Sequence, residues 1–161
     1  MATRIQHRRF EVVPMTPGDL DAVLLIEQAS SRSPWDRAVF VEELERQWAY
    51  LDLLRPRESG ARPLAFVNYW LVRDEVHVLN IATHPDARRE GHAARLLEHV
   101  IAFAHKHHCK FVTLEVRRSN GPAIRLYKKY GFRPVGIRPN YYAAGREDAV
   151  VMLLELVAPQ I

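Results

Sequence analysis

A single cysteine among 161 residues, Cys109, has no intramolecular partner, so a disulfide framework is excluded. Long apolar runs are missing as well; none approaches the roughly 20 residues that a membrane-crossing helix needs. The opening MATRIQHRRFEVV lacks the apolar stretch of a secretory signal. There is no internal repeat and no low-complexity tract. Neither GxxxxGK[ST] nor GxGxxG occurs, which removes the P-loop nucleotidases and the dinucleotide fingerprint. A large surplus of one charge is also absent: 23 Lys and Arg face 19 Asp and Glu, leaving +4 with eight His neutral. That balance favours anionic partners such as a phosphorylated coenzyme, nucleic acid or a ribonucleoprotein surface, and identifies none of them.

What is there suits an ordinary globular chain, with 48% hydrophobic and 26% charged residues. The length supports one core, so a single cytoplasmic domain over 1–161 is expected, with a flexible basic segment at 1–9. The basic pairs Arg8-Arg9, Arg88-Arg89, Arg117-Arg118 and Lys128-Lys129 read individually as solvated charge.

Phe10–Val13 reads as a strand. Thr16-Pro17-Gly18-Asp19 carries a capping hydroxyl, a first-turn proline and an acid three residues on, which starts a helix. Leu20, Val23, Leu24 and Glu27 follow on one face. After Ser33-Pro34-Trp35-Asp36, a second helix turns Val39, Phe40 and Leu44 inward. Strands are expected near 50–54, 64–72 and 76–83, rich in β-branched and apolar residues. From His92 to about His108, Leu96, Leu97, Val100, Ile101 and Ala104 form a helical stripe. A strand over 111–116 leads to a helix opened by Asn120-Gly121-Pro122 and ended at Gly131. Strands around 132–137 and 149–156 close the chain. Helices alternating with strands in the second half predict α/β or α+β with a mixed sheet.

Two constellations could carry chemistry. The strand through Leu79-Asn80-Ile81-Ala82-Thr83 delivers the chain into Arg88-Arg89-Glu90-Gly91-His92-Ala93, where a helix begins. A helix start has unpaired N–H groups and partial positive charge, and a glycine there lets the backbone approach a phosphate. A plain helix start explains the same residues. The second constellation is Glu115, near the end of an apolar strand, with Tyr127 on the next helix. A carboxylate and a phenol converging on one cleft could act as base and acid. The alternative is a strand-end Glu paired with Arg117 or Arg118, and a Tyr filling the core. His105 and His108 lie three apart beside Cys109, but no second Cys or carboxylate pair completes a metal site, and a solvated helix end is expected. Cys109 reads as a packing residue, and Tyr69-Trp70 as divided between core and cleft.

Taken together, Leu79-Asn80-Ile81-Ala82, His84-Pro85, Arg88-x-x-Gly91-x-Ala93, Leu114-Glu115-Val116-Arg117, Ser119-Asn120, Ala123-Ile124-x-Leu126-Tyr127 and Tyr130-Gly131-Phe132 resemble the GCN5-related N-acetyltransferases. Pro34-Trp35, Arg138-x-Asn140-Tyr141-Tyr142 and Arg146-Glu147-Asp148-Ala149 resemble the RimI type, the ribosomal-protein-alanine N-acetyltransferases. The likeness runs from Asp19 to Leu156. It implies a central, mixed, mostly antiparallel seven-stranded sheet flanked by about four helices, and acetyl-coenzyme A as co-substrate without a metal. By the same resemblance, the backbone of Ile81, Ala82 and Thr83 pairs with the pantetheine arm. Arg88, and the backbone of Arg89, Glu90, Gly91, His92, Ala93 and Ala94, hold the pyrophosphate, and Asn120 is a coenzyme-binding residue. Glu115 falls on the proton acceptor and Tyr127 on the proton donor. Trp35, Tyr141 and Tyr142 line the acceptor peptide.

The implied partner is a protein N-terminus on a ribosomal protein, with neither nucleic acid nor membrane bound directly. A lysine or small-amine acetyltransferase, or a non-catalytic acyl-CoA-binding module, keeps the same fold. Four features depart from the family pattern, one being Gly121-Pro122, which shortens or stiffens the helix entry after Asn120. Ala93 would be costly at a positive φ. Glu90 sets a negative charge beside the phosphate loop, and His92 replaces a smaller residue.

Overall fold

The computed structural model describes residues 9–157; residues 1–8 of the basic N-terminal segment lie outside the described residues. Contacts gather into two compact units. The first holds the described chain to Tyr69 together with Asn80–His99, the second Trp70–Leu79 and the chain from Val100 onward. Two strands and one helix run through both.

In the first unit, β1 (Phe10–Pro14) pairs antiparallel with β2 (Ala49–Pro56), Val12 opposite Leu54. The capping signal at Thr16 is realised: its backbone N–H donates to Asp19 Oδ2 at 2.9 Å, a single 3₁₀ turn follows, and α1 (Leu20–Ser30) begins. α2 (Arg37–Glu45) opens on Asp36, whose Oδ1 accepts the Val39 N–H at 3.1 Å. Val23, Ile26, Phe40, Leu53 and Phe66 are closed from solvent and form the core of this unit. Leu44 is only partly buried; Glu43 takes the inward position, its carboxylate 3.1 Å from the Arg46 guanidinium. Replacing Asp36 with Ala removes the α2 cap, and chemical denaturation should register a loss of about 1 kcal/mol.

The seven strands lie in the order β1-β2-β3-β4-β5-β7-β6 and make a mostly antiparallel sheet. β3 is Ala65–Val72, β4 Glu75–Thr83, β5 Phe111–Arg117, β6 Arg133–Tyr142 and β7 Glu147–Glu155. β4 and β5 run parallel, from Glu75 opposite Phe111 to Val78 opposite Leu114. Parallel neighbours need a crossover, and α3 (His92–Lys106) supplies it.

In the second unit β5 pairs with β7 and β7 with β6, both antiparallel. β5 alternates, with Val112, Leu114 and Val116 buried and Thr113, Glu115 and Arg117 on the other face. α4 (Gly121–Lys129) is capped by Asn120, whose Oδ1 accepts the Ala123 N–H at 3.3 Å. Gly131 then sits at φ +96°, where only glycine enters without strain, and the Phe132 N–H returns to the Tyr127 carbonyl. β6 is longer than the sequence pattern suggests, because two register shifts let it continue past Pro134 and Arg138.

Candidate active site

The helix start anticipated for an anion lies in the first unit. Arg89 has φ +65° and Gly91 φ +81°, and left-handed residues in a tight turn let neighbouring N–H groups converge. The first α-type bond of α3 runs from Arg95 N to Gly91 O at 3.1 Å. The N–H groups of His92, Ala93 and Ala94 therefore belong to the turn in which a helix has no acceptors of its own. Ala93 lies inside α3, so the backbone penalty expected there does not arise; the left-handed position is Gly91.

Glu90 and His92 form a closed set with Arg95. Arg95 Nη1 donates to the Glu90 carbonyl at 2.8 Å and to His92 Nδ1 at 3.0 Å. With Nδ1 accepting, Nε2 carries the hydrogen and donates to Glu90 Oε2 at 2.9 Å. The His92 ring is buried edge-on to Phe10, 4.8 Å between centroids. The Glu90 charge is thus engaged by its own neighbours. Arg88 reaches back toward α1, its Nη2 3.5 Å from the Ala29 carbonyl.

On β4, Ala82 is buried in the core of the first unit while Ile81 and Thr83 are half-buried. Trp35 packs against Phe40, 5.6 Å between centroids, and its backbone N–H donates to Glu27 Oε2 at 3.3 Å. Asn80 Nδ2 donates to the same oxygen at 2.7 Å. Glu27 is 1% exposed; burial pushes its pKa up, against the pull of those two hydrogen bonds. Sequence reasoning placed Glu27 on the buried face and gave it no role. An acid on an otherwise apolar helical stripe was the available signal.

Glu115 and Tyr127 belong to the second unit. The sequence alternative paired Glu115 with Arg117 or Arg118, and the structure corrects this. Arg117 donates to the Ala144 carbonyl and lies 4.2 Å over the Tyr142 ring, while Arg118 pairs with Asp148 at 3.6 Å. The partners of Glu115 are His77 Nε2, 2.6 Å from Oε2, and Arg138 Nη2, 3.5 Å from Oε1. The His77 hydrogen bond, with the charges of His77 and Arg138, holds the carboxyl below its usual range despite burial, which acts the other way. A cavity of about 290 Å³ opens here, lined by Trp70, His77, Thr113, Glu115 and Arg138 among others. Trp70 lines it while Tyr69 is buried, donating to Asp52 at 2.6 Å, as expected of that pair.

Tyr127 is 6% exposed and packs against Phe132 at 5.8 Å between centroids. Burial, and secondarily Tyr142, push its hydroxyl above the ordinary phenol range. Tyr141 and Tyr142 meet edge to face at 5.0 Å, and Arg138 lies 5.8 Å over Tyr141. Burial pushes the Tyr142 hydroxyl up to about 12.

Among the described residues, no group of three or more His, Cys, Asp or Glu could hold a metal ion. His105, His107 and His108 are exposed at the end of α3, and Cys109 is buried with its thiol pushed up, which disfavours the nucleophilic thiolate. No helix among the described residues is long and apolar enough to cross a membrane.

Comparison with known proteins adds to this geometry. A family model described as the acetyltransferase (GNAT) family matches residues 20–132. A ribosomal protein bS18-alanine N-acetyltransferase of Salmonella typhimurium is 40% identical over 140 residues, covering 86% of this chain and 92% of its own. Its Escherichia coli counterpart is 37% identical over the same shares. The crystal structure of the ribosomal-protein-S18-alanine N-acetyltransferase from Escherichia coli superposes with TM-score 0.84 at 35% identity, covering 94% of this chain and 96% of that one.

Proposed function

The chain belongs to the GNAT family of acetyltransferases, and from that membership we propose that it acetylates the N-terminal alanine of a ribosomal protein, the counterpart of bS18, in the cytoplasm. The donor is acetyl-CoA. The observation that carries this reading is the likeness to the bS18-alanine enzymes over nine-tenths of their length.

The residues fit a diphosphate-bearing donor. The opening turn of α3, with the left-handed Arg89 and Gly91 leading into it, supplies N–H donors for the pyrophosphate, and Arg88 and Arg89 supply positive charge. Asn120 caps α4 through Oδ1, so Nδ2 is the half of its amide that serves the coenzyme. The backbone of Ile81, Ala82 and Thr83 engages the pantetheine arm and polarises the thioester carbonyl.

An amine attacks a thioester only when neutral. At pH 7 an α-amine of pKa about 7.8 costs roughly 1 kcal/mol to deprotonate, a lysine of pKa about 10.4 roughly 4.6. Glu115, ionised and held low, is a modest base, which suffices for the α-amine. The amine nitrogen bonds to the acetyl carbon, the C–S bond breaks, and Tyr127 protonates the departing sulfur. Transfer is direct, and the buried Cys109 takes no part.

Mass spectrometry of peptides incubated with the protein and acetyl-CoA tests the acceptor. A peptide opening with alanine and carrying an internal lysine should gain one acetyl group, at the α-amine. The same peptide with a blocked N-terminus should gain none. Acetylation of the blocked peptide at lysine would overturn the α-amine reading, and no acetylation of either peptide would favour a binding module.

A further inference from the structure

β4 and β5 lie side by side with His77 opposite Thr113, which puts Glu115 two residues farther along β5 on the same face. An ionised carboxylate only accepts hydrogen bonds, so the 2.6 Å contact requires a hydrogen on Nε2: His77 donates and Glu115 accepts. The bond is at the short end for a charge-assisted contact. It engages Oε2 alone, while Oε1 faces Arg138 at 3.5 Å.

We propose that His77 is a positioning residue for acetyl transfer, fixing the Glu115 carboxylate by one oxygen so that the other meets the acceptor amine. This rests on Glu115 being the base. A glutamate side chain has three rotatable bonds, and a carboxylate free to turn spends most of its time misaligned with a bound amine. Tying one oxygen to a ring on the neighbouring strand removes that freedom before substrate arrives. The ring is itself fixed: Trp70 on β3 meets it edge-on, 6.4 Å between centroids at 84°.

Arg138 faces the other oxygen of Glu115, and no second carboxylate lining the cavity is left to compete for His77. Glu75, the other carboxylate lining the cavity, accepts from Thr113 Oγ1 at 2.9 Å. The titratable and charged groups lining this cavity are Glu75 and His77 from β4, Glu115 from β5 and Arg138 from β6; β3 contributes Trp70 and Val72, and β7 Val151. The His77 side chain is 31% exposed against 9% for Glu115, so the imidazole can be exchanged for other side chains with little effect on the core.

Steady-state kinetics of His77→Gln, His77→Asn and His77→Leu, beside Glu115→Gln, test this. Gln presents an N–H donor at a similar reach, Asn a donor on a shorter arm, and Leu none. His77→Leu and His77→Asn should lower kcat about tenfold with KM for acetyl-CoA nearly unchanged, and His77→Gln should recover most of the loss. Without the donor, burial acts on Glu115 unopposed by His77, so the acid limb of the kcat profile should move to higher pH in the Leu variant and return in the Gln one. Equal loss in Gln, Asn and Leu, or wild-type kcat and pH profile in Leu while Glu115→Gln is impaired at pH 7, would overturn the role of His77 alone. Wild-type kcat in Glu115→Gln at pH 7 would instead remove the base on which this role depends.

Discussion

Tyr127→Phe should lower kcat by about 10²–10³-fold while KM for acetyl-CoA stays within about threefold. The substitution deletes one oxygen and keeps the ring that packs on Phe132, so α4 and its return to Phe132 should persist. Losing a general acid affects only the step at which the sulfur leaves, which separates kcat from binding. The phenol is pushed up by burial, so it remains protonated across the whole neutral and mildly alkaline range. Wild-type kcat should therefore show no alkaline fall assignable to this group below about pH 10, the ordinary phenol value. Against the reference pKa of a thiolate, near 8.5, a weak acid is a poor proton donor. The same burial raises the basicity of a thiolate brought beside it, and the difference between donor and acceptor, not either value alone, sets the cost. An unchanged kcat in the Phe variant would remove Tyr127 from the reaction.

The elements were legible because local chemistry marks them. Thr16 and Asp19, Asp36, and Asn120 with Gly131 are caps and stops whose hydrogen bonds or backbone angles the structure supplies at the expected places. The seven-stranded, mostly antiparallel sheet and, among the described residues, four helices of eight or more residues also follow. What stayed hidden depends on which strands become neighbours. His77 is one polar residue in a strand of period two, and only the β4–β5 register brings it to Glu115. Glu27 became a shared acceptor because Asn80 and the Trp35 backbone arrive at one oxygen from 53 and 8 residues away. Ala93, Glu90 and His92 looked like weaknesses when judged one at a time. The backbone assigns the left-handed position to Gly91, and Arg95 organises the other two. Glu43 in place of Leu44 shows the same limit, since a helix turned by a few tens of degrees exchanges neighbours on its buried stripe.

Glu115→Gln should reduce kcat/KM for an alanine-opening peptide about 10²-fold at pH 7, and the deficit should shrink as pH rises toward 9. The carboxamide occupies the same volume, and its oxygen still accepts from His77, so the fold should be retained. What it cannot do is take a proton. At pH 7 most of an α-amine of pKa about 7.8 is ammonium, and at pH 9 almost all of it is neutral. The base is then redundant, and the variant should approach the wild type from below. A lysine acceptor would behave differently, since its amine of pKa about 10.4 remains protonated at pH 9 and the deficit would stay. The pH dependence of one variant thus reports both the role of Glu115 and the class of amine it serves. A constant deficit with the alanine-opening peptide would mean that Glu115 acts by holding the peptide in place, through charge or shape, and not by accepting its proton.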